Sequence, residues 1–104
     1  MAEIAEIRKL LDAYRDAYED LDDRRVRAVD PGFKGIPSKM LIKKVTVTFQ
    51  DPRIVVIGQQ ATVLAPVTYR YEWNRAGNPP TSENRSVSWN LQKDGSRWKV
   101  ISSN

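Results

Sequence analysis

Between residues 61 and 73 the chain reads Ala-Thr-Val-Leu-Ala-Pro-Val-Thr-Tyr-Arg-Tyr-Glu-Trp. The odd positions, Ala61, Val63, Ala65, Val67, Tyr69, Tyr71 and Trp73, form an unbroken row, while the even positions are mostly polar. Alternation of period two over this length specifies a long strand with one dry face. The row grows from small residues at one end to large aromatics at the other. A sheet face that tapers in this way closes into a cone or a cleft, so the rest of the chain has to cover it.

The cover comes first in the chain. Apolar residues at Ile4, Ile7, Leu11, Tyr14, Tyr18 and Leu21 recur at spacings of three and four, with Leu10, Ala13 and Ala17 widening the stripe. This predicts a helix from Ala2 to about Leu21 with one buried face and a charged face opposite. Acids from Glu19 to Asp23 suit the start of a second helix better than the end of the first, with Asp22 as its cap. That second helix carries Val26 and Val29 inward and stops before Asp30-Pro31-Gly32. Gly35 and Pro37 break the connector that follows, leaving room for one helical turn near residues 37–40.

From Leu41 onward the period is two, and turn residues propose the registers. A hairpin at Asp51-Pro52 would pair Phe49 with Ile54 and Val47 with Val56. One at Gly58-Gln59 would pair Val56 with Ala61 and Ile54 with Val63. Asp94-Gly95 would pair Leu91 with Trp98 and Trp89 with Val100. A loop over residues 74–82 would set Trp73 near Glu83, Tyr71 near Arg85, Tyr69 near Val87 and Val67 near Trp89. Apart from Trp73 near Glu83 and Tyr71 near Arg85, these registers set apolar against apolar on one face, so turn chemistry and pattern agree. The expected fold class is α+β, with a long N-terminal helix and a short one packed on a strongly curved antiparallel sheet, and residues 1–104 as a single domain.

The chain has no Cys and no His. Disulfides, thiol nucleophiles, thiolate or imidazole metal ligands and Ser-His or Cys-His pairs are therefore excluded. No calcium-type Asp loop is present either, so neither a metal nor a cofactor is expected. The net charge of +4 is unevenly spread. Residues 1–30 hold nine acids against six bases, a balance of −3; the remainder holds eleven bases against four acids, a balance of +7. The bases are scattered among strands and turns, so nucleic acid is not an expected partner. No apolar run approaches the roughly 20 residues of a membrane span, and the start lacks the pattern of a signal peptide. A soluble, cytoplasmic protein with no membrane partner is expected, while a periplasmic one is compatible if the chain is a piece of a longer protein.

The long helix ending in Ala17-Tyr18, the acidic knot, the short helix stopped by Pro31 and a meander closing on Asp94-Gly95-Ser96-Arg97-Trp98-Lys99-Val100 together resemble the nuclear transport factor 2-like superfamily. The Gly58-Gln59-Gln60-Ala61-Thr62-Val63 entry into the long strand adds to the likeness. The resemblance, which extends to its SnoaL-like and cystatin-like cone members, implies a curved sheet wrapped on helices with a pocket between them. Members include ketosteroid isomerase and polyketide cyclases, together with small-ligand binders, protein-binding modules and oligomerising domains attached to bacterial or eukaryotic kinases. This sequence departs from the enzymes in having no His and in a connector too short for a full third helix. Their carboxylate base with a tyrosine partner could be imitated only by Asp30 with Tyr14 or Tyr18.

Two surfaces follow as candidates. Tyr14, Tyr18, Tyr69, Tyr71, Trp73, Glu83 and Arg85 would gather at the open end of the cone as aromatic walls with convergent polar groups, suited to a small apolar or anionic ligand anchored by Arg85. Val55, Ile57, Leu64, Pro66 and Ile101 would form an apolar island on the otherwise polar outer face, suited to a homodimer, as in many members of the superfamily the chain resembles. A non-catalytic ligand-binding or association module is the expectation, with a cofactor-independent isomerase, dehydratase or cyclase as the alternative.

Overall fold

The computed structural model describes residues 2–103. Helix α1, Ala2–Glu19, turns Ile7, Leu11, Tyr14, Ala17 and Tyr18 into the interior, the stripe its spacing dictates. It ends two residues earlier than its periodicity suggests. Leu21 takes a left-handed φ of 56°, its amide bonds to the Tyr18 carbonyl at 2.9 Å, and the Asp22 amide reaches back to Ala17 at 3.0 Å. These two bonds are the paired closure of a helix C-terminus that glycine normally provides. Asp22 then caps α2, Asp23–Val29, by accepting from the Arg25 amide at 3.1 Å. The helical turn of the connector is a 3₁₀ turn at Lys39–Leu41, one residue later than expected.

The strands are β1 (Ile42–Phe49), β2 (Arg53–Ile57), β3 (Gln60–Trp73), β4 (Thr81–Asp94) and β5 (Arg97–Ser103). They form one open antiparallel sheet in which β3 pairs with β4 along one flank and with β2 and then β1 along the other. The expected hairpin between β1 and β2 does not form. Both run the same way along β3, with Phe49 opposite Val67 and Arg53 opposite Leu64, so the register slips by a single residue across the gap. Gln50 keeps its amide on the Pro66 carbonyl at 2.9 Å, and Asp51 adopts a φ of 43°. Residues 42–57 are thus one edge strand broken by a bulge at Asp51-Pro52. The bulge also explains Pro66 in a central strand. The N–H and C=O of a strand residue point to the same side, so the donor Pro66 lacks would have faced the interruption.

A bulge exchanges inside for outside, as a hairpin would have done. Val45 and Val47 are buried, whereas beyond the bulge Ile54 and Val56 turn toward the core and Val55 and Ile57 toward solvent. At Gly58 the expected pairs form, Val56 with Ala61 and Ile54 with Val63. The other two hairpins differ from expectation by even steps. β4 and β5 turn at Gly95-Ser96, pairing Lys93 with Trp98 and Leu91 with Val100. β3 and β4 turn early, with the Asn78 amide on the Arg75 carbonyl, and pair Tyr71 with Thr81, Tyr69 with Glu83, Val67 with Arg85, Ala65 with Val87 and Val63 with Trp89. Even slips keep the same residues inside, which is why the core is as expected although the partners are not.

Helix α1 lies across β1 and β2. Its Glu19 carboxylate accepts the Val47 amide at 2.8 Å, satisfying a donor on the free edge of β1. The molecule is elongated, 51 by 25 by 21 Å. One face of the sheet carries both helices, and among the described residues no element covers the other. Among the described residues no helix is long and apolar enough to cross a membrane.

Candidate functional site

The taper of β3 delivers its tyrosines to the helix-covered face, and α1 meets them with two more. The Tyr14 and Tyr69 hydroxyls share a hydrogen bond of 2.9 Å, and those of Tyr18 and Tyr71 one of 3.1 Å. All four rings are buried. Tyr18 lies 4.8 Å from the Tyr69 ring, Tyr14 meets Trp89 edge-on at 5.6 Å, and Phe33 closes edge-on over both α1 tyrosines. Each phenol thus finds its polar partner in another phenol, inside the space where a cone would hold a ligand. Burial, followed by the neighbouring hydroxyls, raises the Tyr14 and Tyr18 phenols far above the ordinary value, and burial raises Tyr69 as well.

The structure divides the residues expected at one open end among three places. Tyr14, Tyr69 and Arg85 border a shallow recess of about 340 Å³ with Asp30, Phe33 and Ser103. Tyr71, Trp73 and Glu83 border a second, of about 330 Å³, with Pro37 and Ser38. Tyr18 borders neither. Arg85 does not face Tyr71 across the strands as expected; it sits opposite Val67, its guanidinium 5.5 Å from the Tyr69 ring centroid and ion-paired with Glu83. The Glu83 carboxylate raises the Arg85 pKa, so this cation is permanent. Trp73 stacks on Tyr71 at 5.3 Å and donates its indole N–H to Thr81 at 3.1 Å.

Asp30, the candidate base, is buried at the mouth of the first recess. Its Oδ1 accepts the Ser103 hydroxyl at 2.9 Å and the Gly32 amide at 3.2 Å. Gly32 is packed here, because a Cβ on it would stand 3.2 Å from the Ser103 oxygen. Sequence reasoning missed Ser103 and Phe33. Ser103 faces inward only because a second bulge, between Asn90↔Ser102 and Leu91↔Val100, flips the end of β5. Among the described residues no group of His, Cys, Asp or Glu is arranged to hold a metal.

On the uncovered face, Val55, Ile57 and Ile101 border a recess of about 400 Å³ with Gln60, Thr62 and Asn90. Leu64 and Pro66 lie on the same face farther along β3, both exposed. Ile57 is 75% exposed and Val55 53%.

Two helices on one face of an open, curved antiparallel sheet define an α+β cone, and the chain has the nuclear transport factor 2-like fold. No protein-family model matches the sequence, and no curated protein matches it. Among the solved structures that share the fold are three with similar coverage. A protein of Novosphingobium aromaticivorans described as a candidate scytalone dehydratase superposes with a TM-score of 0.77 at 13% identity, over 98% of this chain and 81% of its own. A nuclear transport factor 2-like superfamily protein of Salmonella enterica serovar Typhimurium gives 0.75 at 14%, over 96% and 87%. A candidate dehydratase of the same family from Streptomyces avermitilis gives 0.75 at 11%, over 98% and 93%.

Proposed function

We propose that this chain is a non-catalytic association module that pairs with a second copy through the uncovered face of its sheet. The observation that carries the reading is the tyrosine-filled interior, where the four hydroxyls bond to one another in pairs. Function then falls to surfaces. The recess bordered by Val55, Ile57 and Ile101 is otherwise lined by Ser, Thr, Asn, Gln and apolar residues without a charge, on a chain in which 29% of residues are charged, while Arg53 stands exposed opposite Leu64 and beside Pro66. Charge depletion at the centre of a patch is a mark of protein interfaces. A second copy seated on that recess desolvates no ion there, because Arg53 lies outside its lining. Light scattering at high concentration tests the proposal: a dimer is expected, and a monomer overturns it.

The second reading is a cofactor-independent dehydratase or isomerase, in keeping with two of the structural neighbours. One observation favours it, the meeting of Asp30, Tyr14 and Arg85 around one recess. In that reading the Asp30 carboxylate would take a proton from a small substrate, and Arg85 would hold an anionic group on it. The Ser103 and Gly32 donors on Asp30 and the Glu83 partner of Arg85 weigh against it, because both charges are already engaged.

A further inference from the structure

We propose that the end of the molecule formed by the 3₁₀ turn and the start of β1 is a contact surface for an anionic lipid bilayer. Met40 is 88% exposed and Leu41 61%, adjacent in the 3₁₀ turn that leads into β1. Such exposure of adjacent large apolar side chains is not required by the fold, since neither contributes to the core.

The tip is held in place. Asn74, just beyond β3, donates its amide N–H to the Leu41 carbonyl at 2.9 Å and its side-chain amide to the carbonyls of Met40 and Ile42 at 3.4 and 3.3 Å. Asn74 also brings Arg75 alongside. From residue 31 to residue 50 the chain has four lysines, Lys34, Lys39, Lys43 and Lys44, and no acid. Lys34, Lys43, Lys44 and Arg75 are exposed, and Lys39 is 3.8 Å from Asp23. The acids nearby are that Asp23, Glu72, which stands opposite Lys44, and Glu83, which borders a recess with Pro37 and Ser38 and is ion-paired with Arg85. An apolar pair ringed by cations presents the two signals that stable attachment to a charged bilayer needs, shallow insertion and attraction to acidic headgroups.

The chemistry of the ring selects lipid over other polyanions. Lysine is depleted at protein interfaces, whereas hydrated ammonium groups suit a dense layer of headgroups. Nucleic acid would need an exposed stacking ring, and the aromatic side chain at this end, Trp73, is stacked on Tyr71 with its N–H bonded to Thr81. A bilayer also accepts two exposed apolar side chains without a complementary pocket. The expectation of no membrane partner rested on the lack of a spanning segment, and contact at the surface needs none. Ile42 pairs with Trp73 at one end of β3 while Ile57 pairs with Gln60 at the other, so the tip stays free when the outer face is paired.

The test is co-sedimentation of the whole chain with phosphatidylcholine vesicles and with vesicles containing phosphatidylserine. The expected result is binding to the anionic vesicles at least about tenfold tighter than to the neutral ones, weakening as salt rises. The double variants Met40→Ser/Leu41→Ser and Lys43→Gln/Lys44→Gln, at exposed positions, should each weaken it by about tenfold. Failure to bind, equal binding to both vesicles, or binding unchanged by the variants overturns the proposal. So does RNA or an acidic peptide bound more tightly than the anionic vesicles.

Discussion

Replacing Trp89 with alanine is expected to lower stability by about 3–5 kcal/mol, the range for a large aromatic truncated in a closed core. Trp89 is among the largest fully buried side chains; it stands opposite Val63 and meets the Tyr14 ring edge-on. The neighbours that would have to collapse into the void are tyrosines whose hydroxyls are fixed to one another, so relaxation is limited. A domain of this size has only about 5–15 kcal/mol in total, and much of the variant should be unfolded at moderate urea. Urea titration followed by circular dichroism reads the difference; a loss below about 1 kcal/mol would mean that Trp89 borders space rather than packed rings.

Placing charge on the outer face is expected to abolish pairing without unfolding the domain. Ile57→Glu with Val55→Glu sets two carboxylates at the centre of the proposed interface and, across a two-fold axis, against their own copies. Desolvation and repulsion together should weaken association by at least about a hundredfold. Both side chains are more than half exposed in the single chain, so its thermal midpoint at low concentration should hold. A variant that still dimerises would place the contact elsewhere.

Parity was legible in the sequence, and pairing was not. The row from Ala61 to Tyr71 is buried as its alternation requires, and α2 occupies the span its cap and Pro31 delimit. Partners were misplaced wherever two geometries share a parity. A hairpin and a bulge at Asp51-Pro52 both carry Phe49 and Ile54 to the same face, and only the missing donor of Pro66, opposite the gap, distinguishes them. In the loop at residues 74–80 the Gly77-to-Pro80 tetrad suggested a tip two residues past the true one, moving Glu83 and Arg85 by four positions relative to the tyrosines. The candidate site inherited that error. Tyrosines expected to line an opening instead pair across it, because α1 and β3 bring hydroxyls into register at 2.9 and 3.1 Å, a distance no periodicity encodes.

The account rests on a dry interior filled by its own phenols, and titration of those phenols tests it most directly. Tyr14, Tyr18 and Tyr69 have folded pKa values above the unfolded value of about 10. A group raised in the folded state contributes stability that is fully present below the unfolded pKa and declines as pH rises beyond it. The folded protein should therefore resist tyrosinate formation past about pH 10 and then ionise and unfold together, with ultraviolet absorbance and circular dichroism changing in one step. Tyr14, Tyr18 and Tyr69 titrating near pH 10 with the fold intact would show a water-filled cone, and would contradict the account.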